Sequence, residues 1–457
     1  MGGVMLSLLL LLLTPGRGLE FRYHDTIEVE EYLLFINKTY PNITHLYSIG
    51  QSVQGRELWV LALGSSPRRH VLGIPEFKYI ANMHGNEVVG RVMLLQLIDH
   101  LVQGYYSNEP LSSRLLNSTR IHILPSMNPD GFEASDTNCV YSLGRFNQNG
   151  VDLNRNFPDS FSGRRRQQQP IQEVRREVEV QAVMDWLKTE TFVLSANLHG
   201  GALVASYPYD NSNGGRELVG GASVSPDNDV FVHLAKAYSY NHGSMHRGDS
   251  CHISKPFTDG ITNGYQWYPL PGGMQDYNYI WAQCLELTLE LSCCKYPPVN
   301  QLPSIWQQNR AALLAFIKQV HLGVKGRVFD SSGIPVQNAM VEVSGRRNLC
   351  PFRTNQHGEY YRLLLPGNHT FTVTFPGHQA VTETLNVPYG PDLYSAFTHN
   401  FLLPAQPTAS PVHTSTPPCN HTPHWMPLDG GGPTKRPLWV GLSLVLGLGM
   451  WLTSLLY

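Results

Sequence analysis

His84-Gly85-Asn86-Glu87 sets an imidazole and a carboxylate three residues apart, where the apolar run from Phe77 to Met83 gives way to a helical period. That spacing lets both side chains point at one ion. His199 closes a second apolar run, Thr191 to Leu198, and is again followed by a glycine. Two neutral imidazoles and a carboxylate, with a fourth position open to water, make the donor set of a catalytic zinc site. Hydrolysis at such a site needs a base. Glu286 and Glu290 lie in Ala282 to Leu291 and share one face of a strand at period two, in an apolar setting where a carboxylate is costly unless paired or at work. Either suits the base, and the other then pairs with an arginine. Asn154-Arg155 suits bidentate capture of a carboxylate, and Arg145 upstream suits a developing oxyanion.

These residues need a scaffold that brings strand ends together. Arg56 to Leu63, Phe77 to Met83, Arg120 to Leu124, Thr191 to Leu198 and Ala282 to Leu291 read as strands. Val88 to Leu101, Glu173 to Lys188 and Pro303 to Leu322 read as helices. Strands alternating with helices from Leu19 to about His321 imply an α/β sheet with function in the loops at strand ends. After Gly323 the texture changes. Val324 to Phe329, Met340 to Val343, Glu359 to Leu365 and Thr370 to Phe375 are short strands between Gly and Pro turns, the pattern of a small β-sandwich. Its expected role is to cover a face of the larger domain. Residues 404–433 are rich in Pro, Thr and Ser and read as an extended stalk. Gly163 to Gln169 is a basic, polar insert that reads as a solvated loop.

The chain has 457 residues and a net charge of −2, with 42% hydrophobic and 15% charged residues. It has room for two or three domains with full cores, and it is not disordered as a whole. It lacks the basic excess of a nucleic-acid binder. Long apolar runs occur only at the two ends, so it is not polytopic. Val4 to Leu13 is too short to span a bilayer. With Thr14-Pro15-Gly16 and the small Gly18 behind it, residues 1–18 read as a secretory signal peptide. Leu438 to Tyr457 is an apolar tail behind a short polar spacer and the small residues Asp429 to Gly432. That is the signal for a GPI anchor on Gly430 or a neighbour, with a tail-anchored span as the alternative. Both place the body outside the cell. Asn37, Asn42, Asn117, Asn368 and Asn420 stand in N-x-Ser/Thr sequons, the acceptors of N-glycosylation. The 7 cysteines should mostly pair in that compartment, with at least one left over. Adjacent Cys293 and Cys294 should reach different partners, because they point to opposite sides of an extended chain.

HGNE, GRFNQNGVDLNRNFPDS, NLHGGALVASYPYD, NGYQWYPLPGGMQDYNY and LTLELSCCKYP follow one another in the order of the zinc metallocarboxypeptidases. From Leu19 to Leu403 the chain resembles their regulatory (N/E) branch. The resemblance implies a metallocarboxypeptidase fold, a mixed central sheet flanked by helices, over residues 19–322. A transthyretin-like β-sandwich follows over 323–403, and residues 434–457 hold the anchor signal. It implies one Zn²⁺ held by His84, Glu87 and His199. Glu290 matches the family's general base and Arg145 the arginine that polarises the scissile carbonyl. Asn154 and Arg155 match the pair that binds the terminal carboxylate. Tyr268 matches the mobile tyrosine that closes over the last residue. Asp210 and Gln275 match the pocket for that residue, and an anionic Asp210 favours Lys or Arg. An amidated or internal peptide leaves a buried Arg155 guanidinium unpaired. The arginine-rich stretch from Arg164 to Arg176 departs from the family, where a shorter loop is expected. The implied protein is a monomeric cell-surface enzyme acting on peptides and proteins that end in Lys or Arg. The alternatives are a zinc deacylase of N-acyl amino acids and a surface binding module without activity.

Overall fold

The structure is a computed structural model that describes residues 18–161, 175–212, 218–219, 221–248, 251 and 256–406. Residues 1–17, nearly all of the Arg164–Arg176 insert, most of the stalk, Asn420, and the C-terminal tail with Gly430 lie outside the described residues. Among the described residues no helix is long and apolar enough to cross a membrane.

The strands of the larger part are β1 (Thr44–Gln51), β2 (Glu57–Leu63), β3 (Glu76–Ala81), β4 (Arg120–Leu124), β5 (Phe192–His199), β6 (Ala202–Tyr207), the short pair β7 (Leu218–Val219) and β8 (Ala222–Ser223), β9 (Ile261–Asn263) and β10 (Leu285–Ser292). All but β7 and β8 form an eight-stranded sheet in the order β1-β2-β4-β3-β5-β10-β6-β9. β4, β3, β5 and β10 run parallel, while β1, β2 and β6 run against their neighbours, so the sheet is mixed. The helices are α1 (Thr26–Thr39), α2 (Val89–Tyr106), α3 (Pro110–Ser118), α4 (Pro129–Glu133), α5 (Val178–Thr189), α6 (Asn228–Asn241), α7 (Gly264–Trp267), α8 (Met274–Trp281) and α9 (Leu302–Lys318).

Period-two alternation divides the core. Phe77 and Tyr79 of β3, Leu194, Ala196 and Leu198 of β5, and Leu287 and Leu289 of β10 pack against α1, α2, α3, α6 and α9. α5 and α8 cover Leu58, Val60, Ile80 and Leu124 on the other side. Each fully buried Leu or Ile contributes on the order of 2 kcal/mol. The opposite face of the central strands is polar: Glu286, Thr288 and Glu290 of β10 stand in register beside Ser195, Asn197 and His199 of β5. This polar strip, roofed by hydrophobic layers, is where the chemistry collects.

Several predicted boundaries shift, two of them for a local reason. The helix read from Glu173 begins at Val178, with Glu177 as its N-cap. The strand read from Ala282 begins at Leu285, because Ala282 caps α8 and Gln283 turns the chain at φ 57°.

The C-terminal part contains β11 (Val324–Asp330), β12 (Met340–Val343), β13 (Glu359–Arg362), β14 (Gly367–Thr374), β15 (Val381–Val387), β16 (Phe397–Thr398) and β17 (Phe401–Leu403). β13-β11-β16, with β17 also on β11, faces β12-β14-β15 across Val328, Val341, Tyr360, Phe371 and Phe401. β15 is not evident in the sequence pattern, since only Leu385 and Val387 of its seven residues are buried. The sandwich covers part of the larger domain. His70 stands 2.7 Å from both Glu76 and Glu359, and Lys325 Nζ donates to the Gly73 carbonyl at 2.8 Å. Cys139 bonds to Cys294 and Cys251 to Cys293, so the adjacent cysteines do reach different partners. Cys284, just before β10, is buried and free.

Candidate active site

His84 and Glu87 lie in the turn between β3 and α2, and His199 ends β5. Asn82 shapes that turn. It sits at φ 58°, and its Nδ2 donates to the carbonyls of His84 at 3.1 Å and Gly85 at 2.9 Å. Gly85 is required there, because a Cβ would lie 2.1 Å from the Gly131 backbone. All three side chains are buried. His199 Nδ1 is 2.8 Å from Glu87 Oε2 and 3.2 Å from His84 Nδ1, and His84 Nδ1 is 3.0 Å from Glu87 Oε2. Donors about 2.1 Å from a tetrahedral zinc stand roughly 3.4 Å apart, so two imidazole nitrogens and one carboxylate oxygen fit that ion.

The surrounding contacts orient these donors. His84 Nε2 meets Asp152 Oδ1 at 3.0 Å, and Arg145 holds Asp152 Oδ2 at 2.7 Å. Burial would raise the Asp152 carboxyl, but His84 and Arg145 hold it well below the usual range. The outer oxygen of Glu87, Oε1, takes Lys295 Nζ at 3.0 Å and Arg145 at 3.4 Å. Gly200 N–H donates to the inner oxygen, Oε2, at 3.3 Å.

The two glutamates of β10 part company by their partners. Glu286 is ion-paired with Lys78 at 3.3 Å and accepts from Ser195 at 2.6 Å and Asn197 at 2.9 Å. The expected arginine partner is therefore a lysine, because β3 presents Lys78 in register with Ser195. Glu290 faces the cleft, in register with His199, and its buried Oε2 has no hydrogen-bond partner among the described residues. Burial and the charge of Glu87 push its carboxyl well above the usual range.

The other wall of the cleft is built around Asp210, which follows β6 and is buried. Gln275 Nε2 donates to Asp210 Oδ1 at 2.8 Å from behind. Asp276 accepts the backbone N–H groups of Asp210 at 2.9 Å and Asn211 at 3.2 Å. Gly264 leaves room for this carboxylate, since a Cβ there would fall 1.8 Å from Oδ1. Burial pushes Asp210 up to about 7, with Arg155 opposing. Among the described residues no Lys or Arg forms an ion pair with it. Tyr268, 40% exposed, follows α7 on the cleft wall beside Trp267. Asn154 is buried and accepts the Met274 N–H at 2.9 Å. Arg155 is exposed rather than buried. It ends a 3-10 turn whose other two residues, Leu153 and Asn154, point inward. The cleft together with the solvent at its open mouth spans about 700 Å³.

Asp152, Asp276 and Lys295 had no role in the sequence reading, although each lies within a singled-out motif. Only contacts across the fold mark them. Asn42, Asn117 and Asn368 are exposed, and Asn37 is half-buried with its Oδ1 on the Leu46 N–H at 3.0 Å. A second cluster, Glu76, His122 and Glu190, contains Arg120 at 3.3 and 3.0 Å from the two acids and is an ion-pair network.

With this geometry in view, the chain belongs to the zinc carboxypeptidase family. That family's sequence model matches residues 29–312, and that of the carboxypeptidase regulatory-like domain matches residues 323–398. In particular, the chain is similar to carboxypeptidase M of Mus musculus, with 51% identity over 98% of this chain and 97% of that protein. It is 44% identical to the carboxypeptidase N catalytic chain of Mus musculus, over 81% of this chain and 84% of that one. Identity to carboxypeptidase D of Mus musculus is 46% over 82% of this chain, which spans only 26% of that longer protein. Among solved structures, thrombin activatable fibrinolysis inhibitor matches with a TM-score of 0.51 at 19% identity, over 66% of this chain and 75% of that one, a likeness of fold alone. The protein is a zinc carboxypeptidase with a mixed-sheet catalytic fold and a transthyretin-like sandwich.

Proposed function

We propose that this enzyme removes C-terminal Lys or Arg from extracellular peptides and proteins at the cell surface. The observation that carries the specificity is Asp210, a buried carboxylate on the cleft wall with no cationic partner among the described residues. His84, Glu87 and His199 would hold a zinc ion, which would supply Lewis acidity to the scissile carbonyl and to a water. Glu290 takes the proton of the attacking water and returns it to the leaving amine. Arg145, preset by Asp152, offers its guanidinium to the carbonyl oxygen as charge develops. Asn154 and Arg155 hold the free carboxylate, and Tyr268 closes over the last residue. Asp210, backed by Gln275, receives its cationic side chain.

We read residues 1–18 as the leader, 19–322 as the catalytic domain, 323–403 as the sandwich, 404–433 as the stalk and 434–457 as the signal for a GPI anchor near Gly430. The exposed Asn42, Asn117 and Asn368 and the disulfides Cys139–Cys294 and Cys251–Cys293 support an extracellular body, glycosylated also at Asn37 and Asn420. The test is hydrolysis of matched peptides ending in Arg, Lys, Leu and amidated Arg, with and without a chelator. Cleavage of the first two alone, abolished by the chelator, is expected. Equal cleavage of the Leu peptide removes Asp210 from its role, and cleavage of the amidated peptide removes Arg155.

A further inference from the structure

The loop between α4 and Asp152 holds large apolar side chains in water. Val140 is 59% exposed, Tyr141 87%, Leu143 68% and Phe146 49%. The loop is nevertheless fixed. Cys139 is bonded to Cys294, and Asn138 Oδ1 accepts the N–H groups of Val140 and Tyr141, each at 3.0 Å. Asn86 Nδ2 donates to the Ser142 carbonyl at 2.8 Å. Gly144, at φ +87°, packs so closely that a Cβ would meet the Gly131 carbonyl oxygen at 2.2 Å. A tethered loop with clustered exposed apolar groups marks a binding surface.

Its position names the occupant. Asn86, which holds Ser142, stands between His84 and Glu87. Cys294, which holds Cys139, precedes Lys295, and Lys295 touches Glu87. Arg145, the neighbour of Phe146, lines the cleft itself. The patch is thus continuous with the metal-side wall. The last residue of a substrate points to Asp210, so the chain before the scissile bond leaves past the metal-side wall. An extended peptide advances about 3.3 Å per residue, so residues a few positions upstream reach the loop. A lipid surface suits this loop less well: from Ser135 to Phe146 it carries one acid, Asp136, and one base, Arg145, and no basic cluster.

We propose that Val140, Tyr141 and Leu143 form a subsite for large apolar side chains of the peptide substrate, upstream of the cleaved bond. This rests on the basic-carboxypeptidase reading. The test uses two hexapeptides ending in Ala-Arg, one with Phe and Leu upstream and one with Gly and Asp, and a blocked Ala-Arg dipeptide that cannot reach the loop. The wild type is expected to favour the apolar hexapeptide about tenfold in kcat/KM, chiefly through KM. The double variant Tyr141→Ser, Leu143→Ser should bring the hexapeptides within about twofold of each other and leave the dipeptide unchanged. Equal hexapeptides in the wild type, or equal losses on all three substrates, overturn the subsite. Unchanged peptide rates together with lost binding to phosphatidylcholine–phosphatidylserine vesicles assign the loop to a membrane and overturn it too. Failure of the wild type to cleave the dipeptide sinks the underlying reading and the subsite with it. A cleaved dipeptide with equal hexapeptides sinks the subsite alone.

Discussion

At the scale of single residues, function here depends on which charges are left without partners. Glu286 and Glu290 are alike in type, strand and face, but Lys78, Ser195 and Asn197 satisfy the first while Oε2 of the second has no partner among the described residues. Glu290→Gln is therefore expected to lower kcat by about a thousandfold, with melting temperature and bound zinc close to wild type. Retained turnover removes Glu290 from the mechanism. Asp210 gives a pH dependence whose sign follows from its buried carboxyl, at about 7. Below that pH the group is neutral, and above it the group is an anion that attracts a cation. KM for a peptide ending in Arg should therefore rise as pH falls through about 7, while KM for a Leu peptide stays level. In Asp210→Asn the step should vanish. Linkage gives the opposite trend for folding. A carboxyl raised in the folded state contributes stability that is fully present below about 4 and lost as pH rises through about 7.

At the scale of elements, β3, β5 and β10 carry the site because each alternates an apolar face with a polar one. That alternation was legible in β10, where it put Glu286 and Glu290 on one face. It was hidden in β3, where Lys78 sits inside FKYIANM and the run reads as apolar throughout. The partner of Glu286 could not be read, because it depends on strand order and register rather than on any local pattern. The motifs HGNE and NLHG were legible as donors, since strand ends are short-range features. Lys295 was not, since its contact with Glu87 spans 208 positions. Lys78 and Glu286 are both fully buried, so breaking the pair is costly in a way that a surface pair is not. Lys78→Met should destabilise the fold by about 3–5 kcal/mol, read as a lower denaturant midpoint with unchanged slope. A change under 1 kcal/mol means that Glu286 is neutral in the folded protein and that Ser195 and Asn197 suffice for it.

At the scale of the whole molecule, the change of texture after Gly323 marked a second unit, but nothing local showed how firmly it is joined to the first. The join is ionic and buried. Asp227, which N-caps α6, accepts from Tyr279 Oη of α8 at 2.7 Å and from three groups of the sandwich: Arg346 at 3.1 Å, Asn348 at 2.8 Å and Arg362 at 3.5 Å. Arg362 is among the largest fully buried side chains and lies over the Phe352 ring at 3.7 Å, and among the described residues Asp227 is the carboxylate that forms an ion pair with it. The buried guanidinium of Arg362 and the half-buried one of Arg346 share Asp227, and burial already pushes Arg362 below its usual range. The sandwich should therefore unfold together with α6 and α8, which meet through Phe231 and Tyr279. Calorimetry of the wild type is expected to show one transition. Asp227→Ala leaves Arg362 buried without its anion, and that costs about 3–5 kcal/mol. The transition should then split, the sandwich melting first. Asp227→Asn can keep an acceptor oxygen for Tyr279 and Asn348, but it loses the charge and turns its Nδ2 donor toward Arg346 and Arg362, so it should fall between the two. A single transition at the wild-type temperature in Asp227→Ala means that packing at the interface, and not this charge, joins the two units.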